Sequence, residues 1–205
     1  MYFPLTPHIA LASPWHPCWP RPGRRVVRLR QSRTFPISHP STRLSLKLLR
    51  AVCMERHFPA MLDVGCGSGI LAIAGALLGV QQVIGCDLSA AAVRVSRENA
   101  RRAGVEDQVQ WLQGSTEVLA CRFPLIVANL PLTVQLAKQP EFARLLAPQG
   151  SLILAGFKDT GETPVTAFYL ARGWRVRSQL TLERWEPELP RDLSYTWMGL
   201  HLQAP

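Results

Sequence analysis

An α/β fold, with five parallel strands in an open sheet and an antiparallel β-hairpin at the C-terminal end, is what these 205 residues predict. Three observations carry it. Short apolar runs alternate five times with helix-patterned segments between residues 61 and 171, the arrangement of a parallel sheet covered on both faces. A glycine-rich turn, Asp63-Val64-Gly65-Cys66-Gly67-Ser68-Gly69, joins the first of these runs to its helix. The last two apolar runs are separated by a Pro-rich connection too short for a crossover helix, so they pair as a hairpin.

Residues 1–40 read as a basic, Pro-rich lead-in packed on the domain that occupies 41–205, with a short strand only at 26–30. Leu44, Leu46, Leu48, Leu49 and Val52 follow helical spacing, with Ser41 or Thr42 as the N-cap. Residues 61–64 form a buried strand, 70–78 an Ala/Leu-rich helix and 82–86 the second strand. Ser89 caps a helix over 89–103 that Gly104 ends. Strands at 109–112, 125–128 and 151–157 follow, with helices over 134–146 and 163–171. Residues 174–185 and 194–202 are the hairpin strands, joined through 187–192.

The chain can bury one substantial core. It has no apolar run of membrane-spanning length, and prolines and histidines break up any secretory pattern before Arg21. The prolines also oppose the amphipathic helix of an organelle transit peptide, so a cytoplasmic location is expected. Cys18, Cys53, Cys66, Cys86 and Cys121 form no Cys-x-x-Cys pair and read as reduced thiols. The five histidines lack ligand spacing, and no metal is expected. Residues 1–50 hold nine Arg or Lys and no Asp or Glu, which accounts for the whole net charge of +9. That basic arm reads either as a contact for RNA or a ribonucleoprotein or as a solvated leader, and no aromatic interleaving accompanies Arg24 to Arg33.

The glycine turn has Gly-x-Gly-x-Gly spacing, with Asp63 before it. Its glycines allow a tight turn and close ligand approach, and the helix that follows presents free N–H groups. The dinucleotide fingerprint is spaced Gly-x-Gly-x-x-Gly and faces a pyrophosphate. S-adenosylmethionine has no phosphate and is cationic at its α-amino group and sulfonium, which suits an acidic residue such as Asp63. Gly65, Cys66, Gly67 and Gly69 are therefore cofactor-loop candidates. Asp87, ending the second strand, is placed to accept both ribose hydroxyls, and Leu88 to cover one adenine face. Ser115, or a nearby backbone N–H in Gln113-Gly114-Ser115, meets the adenine edge, although a plain turn explains those residues as well. Asn129-Leu130-Pro131 ends the fourth strand, where an open α/β sheet binds its ligand. The Asn129 carbonyl can accept a hydrogen bond from a nucleophilic amine; a structural Asx-turn is the other reading. Asn129 and Leu130 are the candidate catalytic residues.

These features, with the closing hairpin, outline the seven-stranded, Rossmann-like class I methyltransferase sheet. Ser38-His39-Pro40-Ser41-Thr42-Arg43-Leu44, the glycine loop and Val127-Ala128-Asn129-Leu130 resemble the PrmA family, bacterial methyltransferases of a ribosomal stalk-base protein. Leu154-Ala155-Gly156-Phe157-Lys158-Asp159 and Glu183-Arg184-Trp185 are similar to its fifth strand and late strand, and the lead-in from Pro14-Trp15 to Arg33 to its linker. The resemblance implies S-adenosylmethionine as cofactor, Thr42 and Asn129 among its contacts, no metal, and a protein lysine or α-amine as acceptor. Phe35-Pro36-Ile37-Ser38 stands where the family has Phe and then Gly-Thr-Gly, which stiffens that loop. The family's N-terminal recognition domain has no counterpart in this sequence, so a catalytic domain with its linker is expected. Another protein or a small amine as acceptor, and a non-catalytic binding module, stay open. The loop spacing and hairpin oppose an oxidoreductase.

Overall fold

The structure, a computed structural model, describes residues 2–17, 22–30, 36–184 and 196–205. Cys18, Arg21, Arg33, Phe35, Trp185, Ser194 and the 187–192 connection lie outside the described residues. The chain begins with β1 (Tyr2–Pro4), β2 (Ile9–Ala12), β3 (Arg25–Arg28), α1 (Pro40–Glu55), β4 (Ala60–Val64), α2 (Ile70–Leu77), β5 (Gln82–Asp87) and α3 (Ala90–Ala103). It continues through β6 (Val109–Gln113), β7 (Phe123–Asn129), α4 (Leu132–Leu145), β8 (Leu146–Lys158), α5 (Glu162–Leu170), β9 (Arg175–Glu183) and β10 (Thr196–Gln203).

The main sheet has seven strands in the order β6-β5-β4-β7-β8-β10-β9. β4 to β8 pair in parallel, and β10 lies antiparallel to both β8 and β9. This is the class I methyltransferase outline that the sequence predicts. The final strand is inserted between β8 and β9. β10 is buried over Met198 to Leu202, whereas β9 alternates exposed and half-buried residues, as an edge strand with one wet face does.

Residues along the central strands alternate between two apolar layers. Leu125, Val127 and Ile153 face a layer that includes Leu46, Leu49, Ile70 and Ile73 of α1 and α2. Ile126, Ala128 and Leu154 face the other, with Phe142 and Leu145 of α4 and Val165 and Tyr169 of α5. Both faces are covered, which is why these strands read as continuous apolar runs.

Three details differ from the sequence reading. The N-cap of α1 is His39, whose Nδ1 accepts from the Ser41 N–H at 3.3 Å; Ser41 and Thr42 fall inside the first turn. Pro40 decides this, because its fixed φ suits the first helical position and its missing N–H costs nothing there. β8 begins five residues earlier than expected, at Leu146. The lead-in holds β1 and β2 as well as β3, a separate three-stranded sheet whose Phe3, Leu11 and Val27 enter the α1–α2 layer. Runs of three and four residues are too short to show a period.

Candidate functional site

β5 and β6 lie on one side of β4, and β7 and β8 on the other. Helices leave the carboxyl ends of β4 and β5 in one direction and of β7 in the other, so a crevice opens at the switch point. It is a cleft of about 460 Å³.

The glycine loop forms one wall. Gly65, Gly67 and Gly69 have φ of 69°, 56° and 76°, a left-handed region that favours glycine. The Gly65 and Cys66 N–H groups donate to the Cys86 carbonyl at 2.9 and 3.0 Å, which ties the loop to β5. Gly65, Cys66 and Gly67 line the cleft. Gly69 does not; it is the N-cap of α2, and a Cβ there would lie 2.5 Å from the Trp111 ring. Burial pushes the Cys66 thiol well up, so it stays protonated and serves as packing.

Asp87 lines the cleft at the end of β5. Its Oδ2 accepts from the Gly67 N–H and its Oδ1 from the Ser89 N–H, both at 2.9 Å. The carboxylate is thereby fixed, and each oxygen keeps lone-pair capacity for a ligand hydroxyl. Leu88 beside it is 75% exposed and lines the cleft, as does Ser115 after β6.

Asp63 lies elsewhere than the sequence reading put it. It sits beneath the loop, 1% exposed and outside the cleft lining, and accepts from the Ala72 N–H at 2.9 Å. Burial, opposed by that bond and reinforced by Asp87, pushes its carboxyl up to about 7. No cation among the described residues pairs with Asp63 or Asp87. One carboxyl in the cleft lining and one beneath it thus have no ion-pair partner among the described residues, which suits a cationic ligand group.

The far wall comes from β7. Thr42, Asn129 and Leu130 line it, and the Asn129 Nδ2 donates to the Thr42 Oγ1 at 3.3 Å. The Asn129 Oδ1 is buried without a hydrogen-bond partner among the described residues, a costly arrangement unless a ligand donor fills it. The fully buried Gln135 holds the turn by donating to the Leu130 and Ala155 carbonyls, and the Leu130 N–H donates to Ala155 at 3.0 Å.

Sequence reasoning missed Gln135, Asn99 and Lys138. Asn99 is fully buried on α3: its Oδ1 accepts from the Arg30 N–H, and its Nδ2 donates to the Arg30 and Ser68 carbonyls, each at 2.8 Å. It therefore fastens the lead-in to the glycine loop. The signal was an Asn among Val93, Ser96, Ala100 and Ala103 on the apolar face of α3. Lys138 lines the cleft one turn after Val134, bonds Ser115 Oγ at 2.7 Å and pairs with Glu117. That pairing holds the Glu117 carboxyl down at about 2.

The glycine cradle, the unpaired acids and the orphaned Asn129 oxygen fit an elongated ligand that is cationic in part and carries hydrogen-bond donors. Comparison with known proteins agrees with the fold. A ribosomal protein L11 methylase from Lactobacillus delbrueckii subsp. bulgaricus superposes with a TM-score of 0.80 at 23% identity, covering 100% of this chain and 98% of that one. An O-methyltransferase from Bacillus cereus in complex with SAH gives 0.58 at 16% identity, covering 80% and 81%. The ribosomal protein L11 methyltransferase of Sorangium cellulosum is 38% identical over 169 residues, 82% of this chain and 53% of the relative. That of Syntrophotalea carbinolica is 36% identical over 167 residues, 80% and 54%. The chain spans about half the length of the curated relatives it matches. Residues 34–187 match the family model described as ribosomal protein L11 methyltransferase (PrmA), and with three quarters of its length inside that match the chain belongs to the PrmA family of class I methyltransferases.

Proposed function

We propose that the protein transfers a methyl group from S-adenosylmethionine to an amino group of a ribosomal protein. The observation that carries this reading is the buried, unpartnered Asn129 Oδ1 at the carboxyl end of β7, in the same cleft as the glycine loop. Gly65, Cys66 and Gly67 border the cofactor, Asp87 accepts its ribose hydroxyls, Leu88 covers the adenine and Ser115 meets its edge. Asp63 compensates the cofactor's positive charge from beneath the loop, and Gly69 sets the start of α2. The cofactor supplies an electrophilic methyl group, so the protein contributes position and exclusion of water.

Asn129 Oδ1 accepts a hydrogen bond from the incoming amine and aims its lone pair, with Thr42 fixing the amide orientation. Leu130, Pro131 and Val134 make that mouth apolar, which favours the neutral amine over the ammonium ion. Residues 41–205 are the catalytic domain and 1–40 its lead-in, acting in the cytoplasm beside a protein acceptor and its RNA. The test is to incubate the protein with methyl-labelled S-adenosylmethionine and isolated bacterial ribosomal proteins. Label in one protein band is expected; binding of the cofactor with no label in any band would make it a binding module instead.

A further inference from the structure

We propose that the outer face of α3, together with the lead-in strand beside it, is a binding groove for the phosphate backbone of RNA. Arg94, Arg97 and Arg101 follow one another on α3 and, with Glu98 and the β6 residue Gln113, line a groove of about 330 Å³. All three arginines are exposed, and none bonds a carboxylate among the described residues. The one acid in the groove, Glu98, is taken by Arg30 at 2.7 Å.

The lead-in runs along the same helix. Arg25 Nη2 donates to the Ala103 carbonyl at 2.6 Å, and Asn99 grips both backbone groups of Arg30. This adds the exposed Arg25, Arg28 and Arg30 to the arginines of α3, with no acid in residues 22–30. Six arginines, against the single carboxylate of Glu98 in the groove, are therefore gathered on one ridge along α3 and the strand beside it.

The chemistry favours phosphate. Every cation on the ridge is arginine and none is lysine, and the planar guanidinium matches phosphate oxygens bidentately. Arg94 and Arg101 are about 10 Å apart along the helix axis, enough to follow successive phosphates. The apolar side of α3, at Val93 and Ala100, is buried in the core, so no apolar face remains to enter a membrane. No exposed aromatic residue lies on α3 to stack bases, so the groove grips backbone without selecting sequence. Gln113 of the groove adjoins Gly114 and Ser115 of the cofactor cleft. RNA held here lies beside the adenine end of the proposed cofactor cleft, away from the mouth at Asn129. The proposal extends the ribosomal reading above, yet is measured apart from it.

The test is fluorescence anisotropy of a labelled RNA hairpin of about 20 nucleotides over a salt series, with the full chain and its R94Q/R97Q/R101Q variant. The variant is expected to bind at least about tenfold more weakly at moderate salt and to lose about two units of log–log salt slope. Its thermal shift with S-adenosylhomocysteine should equal that of the unaltered protein, which shows that it folds and keeps the separate cofactor reading testable. Equal RNA binding by the two proteins, or none by the unaltered one, would overturn the proposal. So would arginine-dependent binding to phosphatidylglycerol vesicles in place of RNA.

Discussion

Two buried polar side chains connect the cleft to the rest of the molecule. Asn99 satisfies three backbone groups at once, and Ala there strands them without partners. The expected cost of Asn99→Ala is about 2–3 kcal/mol, which lowers the melting temperature by roughly 5–10 °C; a change under about 1 °C would show that the clamp is idle. Asp63 carries the pH dependence. Its carboxyl stands at about 7 in the folded protein, against about 4 in the unfolded chain. Below about pH 4 both states hold the proton, and above about 7 neither does. Between these limits the folded state binds more protons, so stability falls as pH rises. Asp63→Asn removes that fall, and its melting temperature relative to the unaltered protein should be higher at pH 8 than at pH 5. An equal gap at both values would assign the acid no such role.

At the scale of elements, the turn after β7 depends on its neighbour. Gly156 of β8 has φ 103°, and a Cβ there would lie 2.4 Å from the Leu130 carbonyl oxygen. Strand pairing slips here too, between Met198 and Gly199 of β10, so a bulge makes room for Asn129-Leu130-Pro131. Gly156→Ala should cost at least about 2 kcal/mol in urea unfolding and lower methyl transfer, because it displaces Leu130 towards the cleft. Unchanged turnover would separate this turn from the chemistry. The strands and helices of the main sheet were legible in the sequence because burial on both faces leaves unbroken apolar runs. The start of α1 was misread, since Ser and Thr are commoner caps than His and only Pro40 fixes the register. Ile37, in the loop where glycines were expected, is buried in the core and anchors the approach to His39. Phe35 of that loop lies outside the described residues.

For the whole molecule, the order of strands places the site. The path from β4 out to β6 and back to β7 opens the cleft between the glycine loop and Asn129, and that path follows from the alternation the sequence displays. The loop, Asp87 and Asn129 were legible because each ends a strand at its carboxyl edge. Lys138, Gln135 and Asn99 were not, because their positions depend on helices meeting strands distant in sequence. Asp63 was seen, but its depth was not, since spacing does not tell a cleft wall from its underside. In the proposed reaction, the Asp87 side holds the cofactor and Asn129 aims the acceptor. The most direct measurement titrates S-adenosylhomocysteine and assays methyl transfer for Asp87→Ala and Asn129→Ala side by side. Asp87→Ala should weaken binding by about tenfold or more, while Asn129→Ala should bind within about threefold of the unaltered protein and turn over about a hundredfold more slowly. Loss of cofactor affinity in Asn129→Ala with turnover retained would contradict the account.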